Sequence, residues 1–466
     1  MQLVLYNTLS RSQEVLKPLR PSEVGLYTCG PTVYNFLHVG NYRTYVFEDL
    51  LRRCLRYFGF SVRHVMNITD VGHLTSQADE GEDKVELAAA QQGKTAWEIA
   101  EFYTRTFLED SKRLNLLAPD VLCRATGHIP EQIELIKRLE ARGLTYAIAD
   151  GVYFDTSRFP GYGRLAGAAH QEGLKAGARV EANLEKRSPN DFALWKFSSK
   201  DKKRQMEWES PWGRGFPGWH IECSAMAMKY LGESFDIHCG GVDHIPIHHT
   251  NEIAQAEGAT GKPFVRCWMH AEFLLMGKEK MAKSFGGFIR LQDIEAKGFS
   301  ALDYRYLCLT AHYRKQLEFS FDALEAARSA LRRLRDRVRV ILMESESVGT
   351  RPLPAAARER FRARLADDLD VPGALACIWD ALRPGVLTPV ESRAFLEEID
   401  PVLGLDLIQT ARPEAAPPNI ERLIRQRDAA RDRKDFPAAD AIRRELEGRG
   451  IVLEDTQQGT RWKRRS

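Results

Sequence analysis

The sequence predicts an α/β protein built on a doubly wound parallel sheet, with an inserted domain, a C-terminal α-helical bundle and a small basic α+β tail domain. Residues 24–68 show a strand–helix–strand pattern, which is the unit that joins parallel strands by a right-handed crossover. The alternation is broken over residues 126–206 and resumes afterwards, which indicates an insertion. After Asp322 the pattern becomes helical, and a Pro/Ala-rich linker at 413–418 precedes the tail.

The first predicted strand covers residues 24–28 and leads into a Gly-Pro turn. From residue 41, apolar side chains recur at helical spacing until Gly59, where we expect the helix to end. Residues 61–68 predict the second strand. His38 and Gly40 lie just before the helix, where free backbone N–H groups and the helix dipole favour a phosphate. The sequence contains neither GxGxxG nor GxxxxGK[ST], so a nucleotide would need another cradle.

The remaining elements follow from the same patterns. The insertion holds a predicted helix at 131–142 and a strand at 151–155. A strand at 235–238 runs into a glycine-rich turn, and a helix follows at 248–257. The C-terminal third is predicted to contain helices at 323–344, 355–369, 372–382, 389–403, 420–434 and 438–449, then a strand at 451–453.

One stretch, residues 217–252, is rich in groups that bind metals. His248 and Glu252 are four residues apart and therefore share one face of a helix. Cys, His and Glu side chains are all zinc ligands. The stretch lacks both CxxC and HExxH, so a metal site here must be assembled from distant segments.

Composition and charge limit the class of protein. The chain has 466 residues, of which 44% are hydrophobic and 28% charged, as in soluble multidomain proteins. No apolar run approaches the roughly 20 residues of a membrane span, and the N-terminus does not resemble a signal peptide. Eight scattered cysteines favour free thiols in a reducing compartment.

The excess positive charge is concentrated at the C-terminal end. Residues 419–466 contain 13 Lys/Arg and 9 Asp/Glu, whereas the net charge of the whole chain is +3. A basic tail of this kind suits a polyanion such as a nucleic acid. Charge alone favours the alternative of a solvated helix with many surface ion pairs.

Two motifs in this order resemble those of class I aminoacyl-tRNA synthetases. The sequence HVGN at 38–41 resembles their HIGH motif, and KMAKS at 280–284 resembles their KMSKS loop. The stretches YTCGPTVY at 27–34, GWHIEC at 218–223 and HHTNE at 248–252 resemble the cysteinyl-tRNA synthetase family. The resemblance covers nearly the whole chain.

The resemblance implies a site for each substrate. One Zn²⁺ is expected on Cys29, Cys223, His248 and Glu252. The residues expected to act in catalysis are His38, Asn41, Lys280 and Lys283. ATP, with Mg²⁺, is expected at His38, Gly40, Gly240, Gly241, Asp243 and Lys283. The cysteine pocket is expected at Thr69, Trp219, His220 and His238, and tRNA contacts are expected at Arg461, Trp462 and Arg464.

The resemblance also implies a reaction and a domain plan. Cysteine is activated by ATP and transferred to the 3′ end of tRNA(Cys), and zinc selects the substrate thiolate over the hydroxyl of serine. We expect a cytoplasmic monomer that does not enter membranes. The expected domains are a catalytic core in two halves at 1–125 and 207–265, a connective insertion at 126–206, a KMSKS-loop stem-contact region at 266–322, a helical tRNA-binding bundle at 323–412 and an anticodon-binding domain at 419–466.

Several positions depart from the family pattern. These are Asn41 for the second His of HIGH, Ala282 for the first Ser of KMSKS, Cys239 for a Gly, Thr250 for a Glu, and Gly72-His73 where acidic residues are expected. None of these changes removes an expected zinc ligand or a motif lysine.

Parts of the sequence are compatible with three other functions. A related ligase transfers cysteine to an amino-sugar, but it would lack the tail after residue 419. A zinc peptidase with an HxxEH motif would need His at position 253, where this chain has Ile253. A non-catalytic zinc- or tRNA-binding paralogue would lose Lys280 and Lys283, which are present.

Overall fold

The structure is a computed structural model. It describes residues 1–74, 81, 83–167, 183–199, 204–276, 288–345, 355–411, 417–456 and 459–464. Lys280 and Lys283 lie outside the described residues, and so do the side chains of Arg461 and Arg464. The chain forms two compact units, residues 1–408 and 409–466.

The strands of the described residues are β1 Val4–Asn7, β2 Ser12–Val15, β3 Glu23–Thr28, β4 Ser61–Ile68, β5 Val121–Arg124, β6 Thr145–Ile148, β7 Gly151–Phe154, β8 Phe192–Phe197, β9 Gly215–Pro217, β10 Phe235–Gly241, β11 Val265–Ala271, β12 Leu274–Met276, β13 Leu317–Phe319, β14 Ile451–Thr456 and β15 Gly459–Arg464. The α-helices are α1 Val39–Tyr57, α2 Lys84–Gln92, α3 Ala96–Arg113, α4 Ile129–Ala141, α5 Trp219–Leu231, α6 His248–Thr260, α7 Leu291–Glu295, α8 Ala301–Leu309, α9 Phe321–Glu344, α10 Ala355–Ala366, α11 Val371–Ala381, α12 Pro389–Leu403, α13 Leu407–Ala411, α14 Pro418–Asp432 and α15 Phe436–Gly448.

The core of the first unit is a parallel sheet. Within the described residues its five strands lie in the order β11-β10-β3-β4-β5, and every neighbouring pair is parallel. The chain therefore starts in the middle of the sheet, builds β3, β4 and β5 to one side, and returns to place β10 and β11 on the other. This is a doubly wound order, and such sheets bind ligands where the direction of winding changes, at the carboxyl ends of the strands. The predicted fold class is confirmed.

The helix that follows β3 begins earlier than its apolar pattern predicts. The prediction placed its start at residue 41, but α1 begins at Val39 with His38 as the N-cap. His38 Nδ1 accepts the backbone N–H of Asn41 at 3.3 Å, and the Asn41 side-chain oxygen accepts the backbone N–H of His38 at 3.1 Å. This reciprocal capping satisfies N–H groups that the first turn leaves free, so the helix extends back to His38.

The inserted region forms its own antiparallel sheet. In its described part, four strands lie in the order β6-β7-β8-β9. Its last strand, Gly215–Pro217, lies beyond residue 206, where the sequence placed the end of the insertion. The sheet shares an apolar core with α4 and α5, formed by side chains such as Leu139, Phe154, Trp195 and Ile221. The insertion therefore packs directly on the element that carries Cys223.

A buried ion pair network ties α1 to the helices that follow the core. Asp49 accepts from Arg53 at 2.7 Å and from Arg305 at 2.6 Å. Arg53 also donates to the Pro401 carbonyl, and Arg305 donates to the carbonyl of Leu403. Helices α1, α8 and α12 therefore meet at one carboxylate.

One helix after the core is shorter than predicted. The pattern favoured a helix over 355–369, but α10 ends at Ala366, and Asp368 and Leu369 have φ of 50° and 57°. The Asp368 carboxylate compensates for this turn: it accepts from the backbone of Tyr6 at 2.8 Å and from Arg314 Nε at 2.6 Å. These partners are distant in sequence, so helical periodicity alone could not predict the break.

The second unit is a small α+β fold. Helices α14 and α15 pack against the antiparallel hairpin of β14 and β15. Its apolar cluster contains Leu423, Leu446 and Leu453, and the Trp462 ring packs on that cluster. In the described parts of the chain, no helix is both long and apolar enough to cross a membrane.

Candidate metal centre and active-site cleft

A large cleft opens where the winding of the sheet changes direction. It has a volume of about 780 Å³ and is lined by Cys29 after β3, by Gly241 at the end of β10 and Asp243 just after it, and by His38 at the start of α1. Both halves of the doubly wound sheet thus contribute to one crevice, which is the position expected for a ligand in this fold.

Four side chains that can bind a metal converge beside this cleft, and one of them, Cys29, lines it. One donor atom each from Cys29, Cys223, His248 and Glu252 lies within 4.8 Å of the other three, and all four residues are buried. This is the set that the family resemblance implied. Two thiols, one imidazole and one carboxylate are a donor set that suits Zn²⁺.

Three elements position these donors. Cys29 directly follows β3, Cys223 lies on the second turn of α5, and the pair on α6 uses the i, i+4 spacing of one helix face. The turn after Cys29 needs glycine, because a Cβ at Gly30 would lie 1.6 Å from the Asn67 carbonyl oxygen. The Gly30 backbone N–H also donates to the Asn67 side chain at 2.9 Å. Close approach to the end of β4 therefore fixes Cys29.

The neighbours of His248 and Glu252 leave one donor atom of each facing the cluster. His248 Nδ1 contacts His220 Nδ1 at 2.9 Å, and His248 Nε2 lies 3.1 Å from Glu252 Oε1. Glu252 Oε2 bonds to His238 Nε2 at 2.9 Å. The second nitrogen or oxygen of each ligand is thus held by another side chain, as metal-ligating residues usually are.

The electrostatics of the cluster favour charged ligands. A hydrogen bond from Cys29 lowers the pKa of Cys223 to about 6, despite burial. Burial by itself would raise the pKa of Glu252, but His238 and His248 lower it to about 2. Burial by itself would lower the pKa of His248, but Cys223 and Glu252 raise it to about 10. A buried thiolate and carboxylate need a cation beside them, and here that cation is either the imidazolium or a metal.

A second donor set overlaps the first. Cys29 and Glu252 also lie within 4.8 Å of donor atoms of His238 and His249. His249 Nε2 is 3.4 Å from Cys29 Sγ, and its Nδ1 bonds to His270 Nε2 at 2.8 Å. His270 in turn bonds to Thr8 at 2.8 Å. The sequence prediction assigned no role to His249 and did not single out His270; the pair of adjacent histidines at 248–249 was the available signal.

The mouth of the cleft carries the predicted phosphate-binding residues. Because His38 Nδ1 accepts from the backbone of Asn41, its Nε2 carries the proton of the neutral ring. Burial lowers the pKa of His38, although Asp243 opposes the shift. His38 therefore offers a neutral N–H donor, and its ring stacks on Phe288 with centroids 5.1 Å apart. Asn41 lines the cleft as well, but its side-chain oxygen is occupied by the helix cap.

Only some of the residues predicted to bind the nucleotide or cysteine line the cleft. Gly241, Asp243, Gly40 and Trp219 line the cleft. Gly240 and Thr69 lie behind these residues at the ends of β10 and β4, where Thr69 accepts from Asn67 at 3.0 Å. His220 and His238 are buried and bond to candidate metal ligands. Their roles in substrate binding stay predictions.

Three cleft residues were missed as site residues. His73 and Lys84 line the cleft and contact each other at 2.8 Å, and Thr32 bonds to His73 at 2.9 Å. In the sequence, His73 stands out only as a departure from the family pattern. The sequence does not single out Lys84, because its contact with His73 depends on how the chain folds back after β4.

Trp462 is the one predicted tail contact whose side chain the structure describes. It is partly buried on the apolar cluster of the second unit. Its proposed stacking on a base stays a prediction.

Family models match both units. Residues 15–329 match the model described as the class I (C) tRNA synthetase catalytic domain, and residues 414–462 match the cysteinyl-tRNA ligase anticodon-binding domain. The chain is 52% identical over 464 residues to cysteine–tRNA ligase 1 of Burkholderia lata, covering 99% of this chain and 97% of that protein. It is 46% identical over 492 residues to cysteine–tRNA ligase of Treponema denticola, covering 100% of both.

Solved structures with the same fold are more distant in sequence. Methionyl-tRNA synthetase of Mycobacterium tuberculosis in complex with methionyl-adenylate superposes with a TM-score of 0.56 at 16% identity, covering 84% of this chain and 92% of that chain. At this level of identity, the similarity shows that the two proteins share a fold.

Proposed function

The chain belongs to the cysteine–tRNA ligase family of class I aminoacyl-tRNA synthetases, and we propose that it attaches L-cysteine to the 3′ end of tRNA(Cys). In the first step the cysteine carboxylate attacks the α-phosphate of ATP, which forms cysteinyl-adenylate and releases pyrophosphate. In the second step the terminal ribose hydroxyl of the tRNA takes the cysteinyl group and releases AMP. Such a reaction depends on positioning and on charge stabilisation.

The observation that carries this proposal is that Cys29, a member of the buried donor set, and His38, at the N-terminus of α1, line the same cleft. A thiol-selective site and a phosphate site in one crevice suit an enzyme that joins cysteine to a nucleotide. The match of residues 414–462 to an anticodon-binding domain favours tRNA over an amino-sugar as the acceptor.

Cys29, Cys223, His248 and Glu252 would hold one Zn²⁺. When bound, the ion favours a thiolate ligand over a hydroxyl, and so it would distinguish cysteine from serine. The donor set fits this ion because it is buried and because His220 and His238 hold the ligands from behind.

The ATP site is assigned to the mouth of the cleft. His38 would donate its Nε2–H to a phosphate oxygen, and the free N–H groups of α1 would add to that attraction. Asp243 would accept from ribose hydroxyls, beside the glycine turn that ends β10. Lys280 and Lys283 would neutralise the outer phosphates together with Mg²⁺.

The remaining assignments concern the whole chain. The helices after residue 322 would face the tRNA stem, and Arg461, Trp462 and Arg464 would contact the anticodon region. We also propose a cytoplasmic monomer; the eight free cysteines support a reducing compartment.

The test is ATP–pyrophosphate exchange with cysteine and with serine, on the zinc-loaded and the zinc-stripped protein. We expect that exchange with cysteine depends on zinc. Exchange with serine should be at least about 100-fold weaker, because zinc binds a thiolate in preference to a hydroxyl. Pocket shape alone would discriminate such close analogues only modestly. Equal exchange with both amino acids, or exchange that ignores zinc, would contradict the metal assignment. Absence of cysteine-dependent exchange in the zinc-loaded protein would contradict the proposed reaction.

A further inference from the structure

Four side chains next to the metal centre form a connected group on the cleft wall: His73, Lys84, Thr32 and Trp219, here called the His73 group. All four line the cleft. The His73 ring stacks on the Trp219 indole with centroids 4.1 Å apart and an angle of 7° between the planes. Trp219 in turn packs against the candidate ligand His248, with centroids 4.5 Å apart. The His73 group therefore borders the candidate metal centre, where the cysteine substrate is proposed to bind.

A tight turn at Gly72, held by backbone hydrogen bonds, positions His73. Gly72 has φ of 77°, and a Cβ there would lie 2.6 Å from the Pro217 carbonyl oxygen. The Gly72 backbone N–H donates to Asp83 at 2.8 Å, and the Lys84 backbone N–H donates to the His73 carbonyl at 3.0 Å. Asp83 also caps α2. A side chain at position 72 is thus excluded, and His73 and Lys84 are held opposite each other by their backbones.

The hydrogen bonds determine which nitrogen of His73 carries the proton. Lys84 Nζ lies 2.8 Å from His73 Nε2, and a lysine ammonium can only donate. Nε2 must therefore accept, so a neutral ring has its proton on Nδ1. Nδ1–H then donates to Thr32 Oγ1 at 2.9 Å. Burial and Lys84 both lower the pKa of His73 well below its usual range, which agrees with a neutral ring.

This arrangement leaves the Thr32 hydroxyl hydrogen free of His73. Thr32 Oγ1 accepts from the imidazole, so its own O–H can be directed at a group in the cleft. The Lys84 ammonium is held between His73 and the Tyr34 ring, whose centroid is 5.5 Å away. The His73 ring thus orients the Thr32 hydroxyl through a hydrogen bond and the Trp219 indole through stacking.

We propose that His73 is a positioning residue for cysteine binding: it holds the Trp219 indole and the Thr32 hydroxyl against the substrate, while Lys84 keeps its ring in the required tautomer. This inference rests on the proposed function. It accounts for Gly72-His73 at positions where the family resemblance leads to acidic residues: the tight turn places an imidazole, and not a carboxylate, against the indole.

The test separates the two contacts of His73 by kinetics of ATP–pyrophosphate exchange. His73→Phe keeps a flat ring on Trp219 but loses both hydrogen bonds. His73→Asn keeps a donor close to the position of Nδ1 but loses the stack. We expect each variant to raise KM for cysteine about tenfold, because each removes one of the two ways in which His73 acts, through hydrogen bonds or through the stack on Trp219. KM for ATP should change less than about twofold.

Lys84 provides the second comparison. Lys84→Met is expected to raise KM for cysteine about threefold, because the ring can then adopt either tautomer, and Lys84→Arg is expected to restore it because the donor returns. Lys229→Met is the matched control: Lys229 pairs with Glu131 at 2.5 Å and does not line the cleft. Zinc content and melting temperature are measured for every variant, and the lysine pair decides the question if the His73 variants do not fold.

Unchanged KM for cysteine in both His73 variants would overturn the inference. So would an equal rise in KM for ATP, or a Lys84→Arg variant that behaves like Lys84→Met. These outcomes differ from failure of the proposed function, because that failure would appear as missing cysteine-dependent exchange in the unaltered protein.

Discussion

At the scale of single residues, the candidate metal centre depends on which atom of His248 and which oxygen of Glu252 are left to bind a metal. His220 contacts His248 Nδ1, and His238 bonds to Glu252 Oε2. The opposite atoms, Nε2 and Oε1, therefore face each other and the thiols. The two supporting histidines thus select the tautomer and the carboxylate rotamer that a metal requires.

Replacing one of the four ligands should remove the zinc, whereas replacing a nearby cysteine outside the ligand set should leave the zinc bound. We expect Cys223→Ser to lower zinc affinity by at least about 100-fold, since a serine hydroxyl is a poor zinc ligand at neutral pH. Cysteine-dependent exchange should fall with it. Bound zinc is measured by elemental analysis after dialysis against a chelator.

The matched control is Cys239→Ser. Cys239 is equally buried, on β10, and it belongs to neither donor set of the described residues. It should keep one zinc per chain. Zinc loss in both variants, or in the control alone, would contradict the assigned ligand set.

At the scale of elements, α1 links the cleft to the helices beyond the core. Its first residue follows His38, and one of its inner turns carries Asp49, which binds the fully buried Arg305 of α8. Arg53, on the next turn, reaches the end of α12. The orientation of α1, whose N-terminus is the proposed phosphate site, therefore depends on a buried charge network outside the cleft.

Removing the shared carboxylate should destabilise the first unit strongly. Asp49→Asn leaves Arg305 and Arg53 without their buried partner, and the loss of such a partner costs about 3–5 kcal/mol. The free energy of unfolding is measured by urea denaturation. Asp336→Asn is the control, since its pair with Arg339 is exposed and should contribute less than about 1 kcal/mol.

The same network gives a pH dependence. Burial by itself raises the pKa of Asp49, but Arg305 and Arg53 lower it below its ordinary value. A carboxyl whose pKa is lower in the folded state contributes stability above the pKa of the unfolded chain, and that stability is lost as the pH falls through the folded pKa. The difference between Asp49→Asn and the unaltered protein should therefore shrink in acid. A difference that grows on acidification would contradict this network.

At the scale of the whole molecule, the candidate metal centre and the basic tail belong to different compact units. The metal centre and the cleft belong to the unit of residues 1–408, and the basic segment lies in the unit of residues 409–466, which has its own apolar core. The two steps of the proposed reaction thus place different demands on the chain: the first requires one unit, and the second also requires recognition of the tRNA.

Deletion of residues 409–466 should separate those steps. We expect ATP–pyrophosphate exchange to stay within about twofold of the full chain, while charging of tRNA(Cys) falls at least about tenfold, because phosphate and base contacts in the tail would be lost. Both reactions are measured on the same preparation. Loss of exchange as well would mean that the tail supports the catalytic unit.

The sequence by itself determined the fold class, most helices, the family and the candidate zinc ligands, because these depend on local periodicity and on short motifs. The i, i+4 pair on α6 is encoded within a few residues. Only the tertiary structure decided which distant side chains meet. The strand order puts Cys29 beside α6, and the chain fold brings His73 against Lys84 and Trp219. Such contacts depend on strand order and on close backbone approach, which no local pattern records.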